Sequence, residues 1–257
     1  MIVVKFKEGI ALGQSCALTP WESNEAWGWY HCQDPGLEHV RAGCYLQGSG
    51  YEFQVLDKFW TVNSSGPGGL GLLVRSLHDV DTGRELVLQV CSREWSLAWI
   101  TLSDKGAAGE RVDSSGPLIP ELVGGRLNLG QTRGYVIPDN SYLLKSLLNH
   151  LALTSGVDLI FTTGGTGVAP RDITPDVTGE VLEKRMPGFE QAMTGASLQK
   201  TPHGGISRAA AGTLDRSLII NLPGSPKAVR ENLEAVLPAL EHALDKLQGD
   251  SGECAAG

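Results

Sequence analysis

The run Thr162-Thr163-Gly164-Gly165-Thr166-Gly167 directly follows the apolar stretch Leu159-Ile160-Phe161. Glycines placed after a buried strand let backbone N–H groups approach a ligand closely, and the threonine hydroxyls add donors. This is chemistry for an anion, above all a phosphate. No Gly-Lys-Ser/Thr follows, and the spacing is not Gly-x-Gly-x-x-Gly, so neither common nucleotide-loop fingerprint is present. Four residues further on comes Arg171-Asp172-Ile173-Thr174-Pro175-Asp176. Asp172 stands at the mouth of the glycine loop, where a carboxylate beside a phosphate suits metal ligation. Asp176 opens a helix and complements its dipole. Pro138-Asp139 ends another strand. Asp139 is ambiguous with a helix cap, but paired with Asp172 it can hold Mg²⁺ through hard oxygen ligands while substrate phosphates complete the shell. Leu222-Pro223-Gly224-Ser225-Pro226 is a second glycine turn, feeding a helix N-terminus suited to an anion. Ser103-Asp104-Lys105-Gly106 with Arg111 reads either as a substrate contact or as a solvated loop.

The elements that must position these residues alternate in type. Leu97–Leu102, Tyr135–Ile137, Asp158–Thr162 and Ser217–Asn221 read as strands. A helix after Asp139, capped by Asn140 or Ser141, carries Leu143, Leu144, Leu147, Leu148 and Leu151 on one face. Ser115-Gly116-Pro117 reads as another helix start. Thr174-Pro175-Asp176 opens a third helix, which Pro187-Gly188 closes. The C-terminal helix carries Val229, Leu233, Val236, Leu237 and Leu240, and Pro238 is expected to bend or split it. Strand–helix alternation implies an α/β domain over residues 95–250, with a mostly parallel sheet and helices on both faces. Ligands of such sheets bind at the carboxyl ends of the strands, where every polar cluster above falls. The last residues, 251–257, read as a disordered tail.

Residues 1–94 have a different texture. Short β-like runs (Ile2–Val4, Tyr51–Val55, Leu72–Val74, Leu86–Val90) are separated by turn signals at Gly48–Gly50, Ser64–Gly69 and Asp81–Gly83. The last reads as a hairpin with a left-handed glycine. A small β-rich domain of undefined role is expected; five of the six tryptophans (Trp21, Trp27, Trp29, Trp60 and Trp95) lie in it or at its end, and the cluster Trp21–Tyr30 reads either as a ligand-stacking surface or, as is commoner for such aromatics, as core. Five cysteines (Cys16, Cys32, Cys44, Cys91, Cys254) form an odd set without CxxC spacing. They read as reduced structural thiols. His31 and Cys32 with Cys16 and Cys44 match no zinc pattern.

A formal net charge of −8 lacks the footprint of a nucleic-acid binder. No apolar run is long enough for a bilayer and no secretory signal is evident, so a cytoplasmic protein without nucleic-acid or membrane partners is expected.

Taken in order, several motifs carry a resemblance. They are Leu102-Ser103-Asp104, Ala108-Gly109-Glu110, Asp113-Ser114-Ser115-Gly116-Pro117, Val136-Ile137-Pro138-Asp139, Thr163–Gly167, Arg171–Asp176, Ile206-Ser207-Arg208 with Ala211-Gly212, and Leu222–Pro226. Over about residues 96–247 the chain resembles the molybdopterin adenylyltransferase family of MogA/MoaB type. The resemblance does not reach residues 1–94. It implies a homotrimeric domain that binds molybdopterin and Mg-ATP, forms adenylyl-molybdopterin with release of pyrophosphate, and hands its product to a metal-insertion enzyme. It implies that Asp139 and Asp172 are the two functional aspartates and Mg²⁺ ligands. It further assigns Ser103, Asp104, Thr163, Gly164, Gly165, Thr166, Gly167, Ser207, Pro223, Gly224 and Ser225 to substrate and nucleotide binding. Asn140 stands where an acidic residue is usual. His203-Gly204-Gly205 replaces a more apolar segment, which is expected to loosen the loop before Ser207. A carrier or scaffold using the same pocket is the alternative. Two carboxylates beside a phosphate site, which repel it unless Mg²⁺ intervenes, favour the enzyme. Metal insertion itself needs flanking domains for which 94 residues are too few.

Overall fold

The computed structural model describes residues 1–22, 26–32, 37, 40–63 and 68–249. The tail at 251–257, Cys254, most of the turn at Ser64–Gly69 and the side chains of His31 and Cys32 lie outside the described residues. The chain divides into two compact units: Met1–Trp95 with Thr154–Gly156, and Ser96–Leu153 with the residues from Val157 onward.

The first unit is a closed barrel. Its strands are β1 (Ile2–Phe6), β2 (Ser15–Thr19), β3 (Gly28–Cys32), β4 (Tyr45–Gly48), β5 (Tyr51–Thr61), β6 (Gly69–Ser76) and β7 (Glu85–Cys91), in the order β1-β3-β2-β6-β5-β4-β7. Alternation sets the interior: Ile2, Val4 and Phe6 are buried while Lys5 between them is exposed. Phe6 and Phe53 stack inside with ring centroids 5.2 Å apart. Ser49 and Gly50, both at positive φ, make the two-residue turn that joins β4 to β5 in the register Gly48↔Tyr51. Gly83 is left-handed as expected, but Asp81-Thr82-Gly83 does not close a β6–β7 hairpin. β7 pairs with β1 and β4, and Val80 bridges Ile10, so this turn leads the chain onto β1. The tryptophans are not the core. None of the five is fully buried, and Trp60 is 75 % exposed. Aliphatic side chains with Phe6, Phe53 and Tyr30 fill the barrel, while Trp29 sits outside under the ammonium groups of Lys5 and Lys7. Cys16 and Cys44 are buried thiols outside any disulfide among the described residues, and burial pushes Cys16 up to about 12, where it is inert.

The second unit is built on a six-stranded sheet in the order β11-β12-β13-β10-β8-β9, from β8 (Trp95–Leu102), β9 (Leu129–Ile137), β10 (Leu159–Thr163), β11 (Lys184–Arg185), β12 (Ala211–Leu214) and β13 (Ser217–Leu222). Every residue of β10 and β13 is buried. Because side chains alternate between faces, both faces must be covered there. The sheet is mixed rather than mostly parallel. β8, β10 and β13 are parallel, but β12 pairs antiparallel with both β13 and β11. The reason is local: β12 and β13 are joined by Asp215-Arg216 alone, and only an antiparallel hairpin spans so short a link.

The helices are α1 (Asp104–Ala107), α2 (Leu118–Gly124), α3 (Ser141–Asn149), α4 (Thr174–Val181), α5 (Pro187–Lys200) and α6 (Pro226–Leu247). Asn140 caps α3 by accepting from Leu143 N–H, and Leu144, Leu148 and Leu151 are its buried stripe. Three boundaries differ from the sequence expectation. α4 ends at Val181, and Pro187 starts α5 instead of closing α4, as suits a residue whose missing N–H is unneeded at a first turn. Ser115 does not cap α2; its hydroxyl is used elsewhere. α6 runs unbroken through Pro238, held by Val229, Leu233, Val236, Leu240 and Leu244 in the core.

Asn221 ties this unit together. Its fully buried amide donates to Thr162 Oγ1 (2.8 Å) and Thr178 Oγ1 (2.9 Å) and accepts from Ala210 N–H (3.2 Å). Asn221→Ala leaves these groups unpaired. It is expected to cost about 1–3 kcal/mol, seen as a lower urea midpoint with an unchanged slope.

Candidate functional site

Register builds the site. Thr163 pairs with Thr101 on one side and Leu222 on the other, so the three parallel strands end in one row. Their loops open together: Ser103 after β8, Gly164 after β10, Pro223-Gly224 after β13. Short bonds fix them to one another. Thr163 Oγ1 donates to Pro223 O (2.7 Å), Ser115 Oγ to Gly224 O (2.8 Å) and Gly164 N–H to Leu222 O (3.3 Å). Between them lies a cavity of about 410 Å³. Its walls are residues 101–103, 111–115, 163–164 and 224–226, with Gly106 and Val136. Ser225 caps α6 by accepting from Ala228 N–H, so the N-terminus of a 22-residue helix begins at this wall.

Of the residues expected to bind substrate, Ser103, Thr163, Gly164, Gly224 and Ser225 line this cavity, and Pro223 helps to close it. Asp104, Asp139, Gly165, Thr166, Gly167, Asp172 and Ser207 do not line it. They belong to an adjoining flank. There Asp139 N–H donates to Asp104 Oδ1 (3.2 Å), and Arg171 pairs with the Asp104 carboxylate. A Cβ on Gly165 would lie 3.4 Å from Asp139 Oδ1, and one on Gly167 would lie 2.7 Å from Asp172 Oδ2. The two carboxylates thus flank the glycine loop at its two ends. Asp172 Oδ2 also accepts from Ala169 N–H (2.8 Å), which holds the carboxylate inward. Asp139 is pushed above the usual carboxylate range, first by burial and then by the charges of Asp104 and Asp172, which Arg171 only partly offsets.

Arg208 carries more of the site than its place beside Ser207 suggests. Its Nε donates to Gly167 O (2.8 Å), Nη2 to Asp172 O and Nη1 to Asp176 Oδ1 (2.7 Å). It therefore clamps the loop from Gly167 to Asp172. Asp176 is held below its ordinary value by this bond to Arg208. Asp113 is a second structural anchor. It accepts from Thr101 Oγ1 (2.6 Å), Ser115 N–H (3.0 Å) and Gly116 N–H (2.9 Å). An Asp two residues before a Ser-Gly pair is the signal that could have marked it. His203-Gly204-Gly205 does not loosen the chain. Pro202–Ile206 is a 3₁₀ turn capped by Thr201, and Gly204 packs so closely on α5 that a Cβ would meet Ser197 Cβ at 2.7 Å. Next to it, Ser207 Oγ is buried without a hydrogen-bond partner among the described residues, while the following Arg208 N–H donates to Thr166 O. No group of three His, Cys, Asp or Glu among the described residues could hold a metal ion unaided. No helix among them is long and apolar enough to cross a membrane.

Residues 98–242 match the sequence profile of the family described as "Probable molybdopterin binding domain". The chain belongs to that family. A molybdopterin adenylyltransferase of Helicobacter pylori (strain J99) is 40 % identical over 152 residues, covering 59 % of this chain and 86 % of that protein. The gephyrin of Dictyostelium discoideum is also 40 % identical, but this chain spans only 22 % of its length. The crystal structure of the molybdopterin biosynthesis enzyme MoaB from Thermus thermophilus superposes with a TM-score of 0.56 at 44 % identity, covering 61 % of this chain and 98 % of that one. The family match takes in every residue of the cavity and its flank, and none of the barrel.

Proposed function

We propose that this protein adenylylates molybdopterin in molybdenum-cofactor biosynthesis, using ATP and releasing pyrophosphate. The observation that carries the reading is the row of three strand ends. It sets a hydroxyl- and amide-lined cavity beside a glycine loop flanked by Asp139 and Asp172. In the reaction a phosphate oxygen of molybdopterin forms a bond to the α-phosphorus of ATP, and the bond from that phosphorus to the β-phosphate oxygen breaks. Such a transfer needs in-line placement and charge neutralisation more than a dedicated base. The cavity offers the Ser103 and Ser225 hydroxyls, whose protons are not used by their caps, and the α6 N-terminus to hold phosphate oxygens. The bonds from Thr163 to Pro223 and from Ser115 to Gly224 keep the loops from moving apart.

Asp139 and Asp172 fit Mg²⁺: they are hard oxygen donors on either side of a glycine loop, in a flank with more carboxylate than cation. Bound there, Mg²⁺ would neutralise the phosphates of ATP. The homotrimer is part of this proposal and rests on the family resemblance.

The test is pyrophosphate release from Mg-ATP with and without molybdopterin. Molybdopterin-dependent release establishes the enzyme. Molybdopterin binding without release points to a carrier.

Asp139 makes turnover depend on pH. Burial and the neighbouring carboxylates raise it from its ordinary value, so its proton competes with Mg²⁺ on the acid limb of the rate profile. Asp104→Asn keeps the acceptor for Asp139 N–H and removes one of the charges that raise it. The acid limb should move to lower pH in this variant. The stability effect has the opposite sense to that of a paired carboxylate. The raised value means that Asp139 favours folding while protonated, and this contribution is lost as pH rises through its folded value. Asp139→Asn is expected to raise the melting temperature at neutral pH while lowering turnover.

A further inference from the structure

Arg111 is the single cation among the described residues lining the cavity, and no hydrogen bond or ion pair to it is found among them. The one carboxylate in the lining, Asp113, makes no ion pair with it among the described residues: its oxygens accept from Thr101, Ser115 and Gly116, which turns them toward those donors and leaves the guanidinium fork open to another anion. In a chain of net charge −8, an exposed arginine in a cavity lining with several hydroxyl side chains, with no partner found among the described residues, marks a local anion site.

The loop is anchored on both sides of it. On one side Glu110 N–H donates to Lys105 O (2.8 Å), and left-handed Gly109 (φ 75°) turns the chain. On the other side stands the Asp113 clamp. Only Arg111 and Val112 lie between the two anchors, and Val112 is 88 % exposed. The clamp itself depends on Gly116, where a Cβ would meet Asp113 Oδ2 at 2.3 Å and the Trp99 ring at 2.4 Å.

We propose that Arg111 grips a substrate phosphate at this cavity and that Asp113 is the positioning residue that presents it. The guanidinium fork matches two phosphate oxygens, which a lysine matches only as a point charge. The identity of the substrate rests on the adenylyltransferase reading; the anion site does not. The phosphate belongs either to molybdopterin or to ATP, and the two are separable by experiment.

The test uses the full chain and measures equilibrium binding of molybdopterin and of ATP separately, together with KM and kcat. Arg111→Gln should weaken one of the two by about tenfold or more and raise the KM of the same substrate, and Arg111→Lys should fall between. Asp113→Ala should reproduce the Arg111→Gln loss. Asp113→Asn should recover most of it, because its Oδ1 still accepts both N–H groups and its amide can donate to Thr101. Weaker molybdopterin binding assigns the pterin phosphate, and weaker ATP binding assigns the nucleotide. Unchanged binding of both by folded Arg111→Gln overturns the proposal. If wild type binds molybdopterin yet releases no pyrophosphate, the adenylyltransferase reading fails while the binding comparison still decides the role of Arg111.

Discussion

Asp172→Asn should reduce molybdopterin-dependent pyrophosphate release by about 10²–10³-fold with an unchanged thermal transition. Asp172 has two separable roles. Structurally, Oδ2 accepts from Ala169 N–H and the main-chain carbonyl accepts from Arg208. An asparagine keeps both, since its amide oxygen is an acceptor and its carbonyl is unaltered. Chemically, the variant removes one negative charge from the flank of the glycine loop, where the proposed reaction needs it to hold Mg²⁺. Nucleotidyl transfer depends on charge placed in advance around the phosphates, so one missing ligand charge weakens the transition state more than bound ATP. The measurements are kcat, KM for ATP at several Mg²⁺ concentrations, and a melting curve. Near-normal kcat in a folded Asp172→Asn protein would remove Asp172 from the machinery.

The second large effect is expected at Gly164, and it strikes fold and site together. Gly164 follows β10 at φ 96°, a conformation that L side chains rarely adopt. A Cβ there would lie 2.6 Å from Leu102 O, the last carbonyl of β8. Neither neighbour can yield cheaply: Leu102 is held in the sheet, and Gly224 already approaches Gly164 from the other side, with its own Cβ position 3.3 Å from Gly164 Cα. Gly164→Ala is therefore expected to cost on the order of 1–3 kcal/mol in backbone strain alone, and more with the clash. It should also prise apart the β8 and β10 ends that wall the cavity, so molybdopterin affinity should fall with stability. Urea unfolding and equilibrium binding on the same preparation test both. Gly188→Ala is the control, because nothing lies within 4 Å of a Cβ at that position and its φ is not left-handed. Its effect should be small.

Most elements of the second unit were legible because they carry a local signal. Leu159-Ile160-Phe161 is apolar enough to be buried on both faces, and Asn140 marks a helix start through a hydrogen bond three residues away. β12 was not legible. Ala211–Leu214 has four small or apolar residues and no period to separate strand from loop, and its existence depends on pairing with β13. Pro187 and Pro238 show the same limit. Proline is compatible with a helix start and hostile to a helix interior, and which rule governs depends on what the helix packs against. In the barrel, the tryptophan-rich composition misled. A sequence cannot tell which of two alternating faces turns inward, and here the inward set is Ile2, Val4 and Phe6 with their aliphatic partners.

Residue types and their order were enough to specify the chemistry: glycine turns and aspartates just past buried strands, in a spacing that resembles one family closely enough to name it. Those features are short-range, written within six positions of one another. How they are shared out was settled by folding. The pairing of Thr101, Thr163 and Leu222 in one row, residues more than fifty positions apart, puts Ser103, Gly164 and Gly224 around one cavity and leaves Asp139 and Asp172 on its flank. The same packing ties Asp113 to Thr101 and to its own loop and leaves Arg111 in the cavity lining with no partner found among the described residues. Partners brought together by sheet register settle such matters, and register is a property of the packed whole.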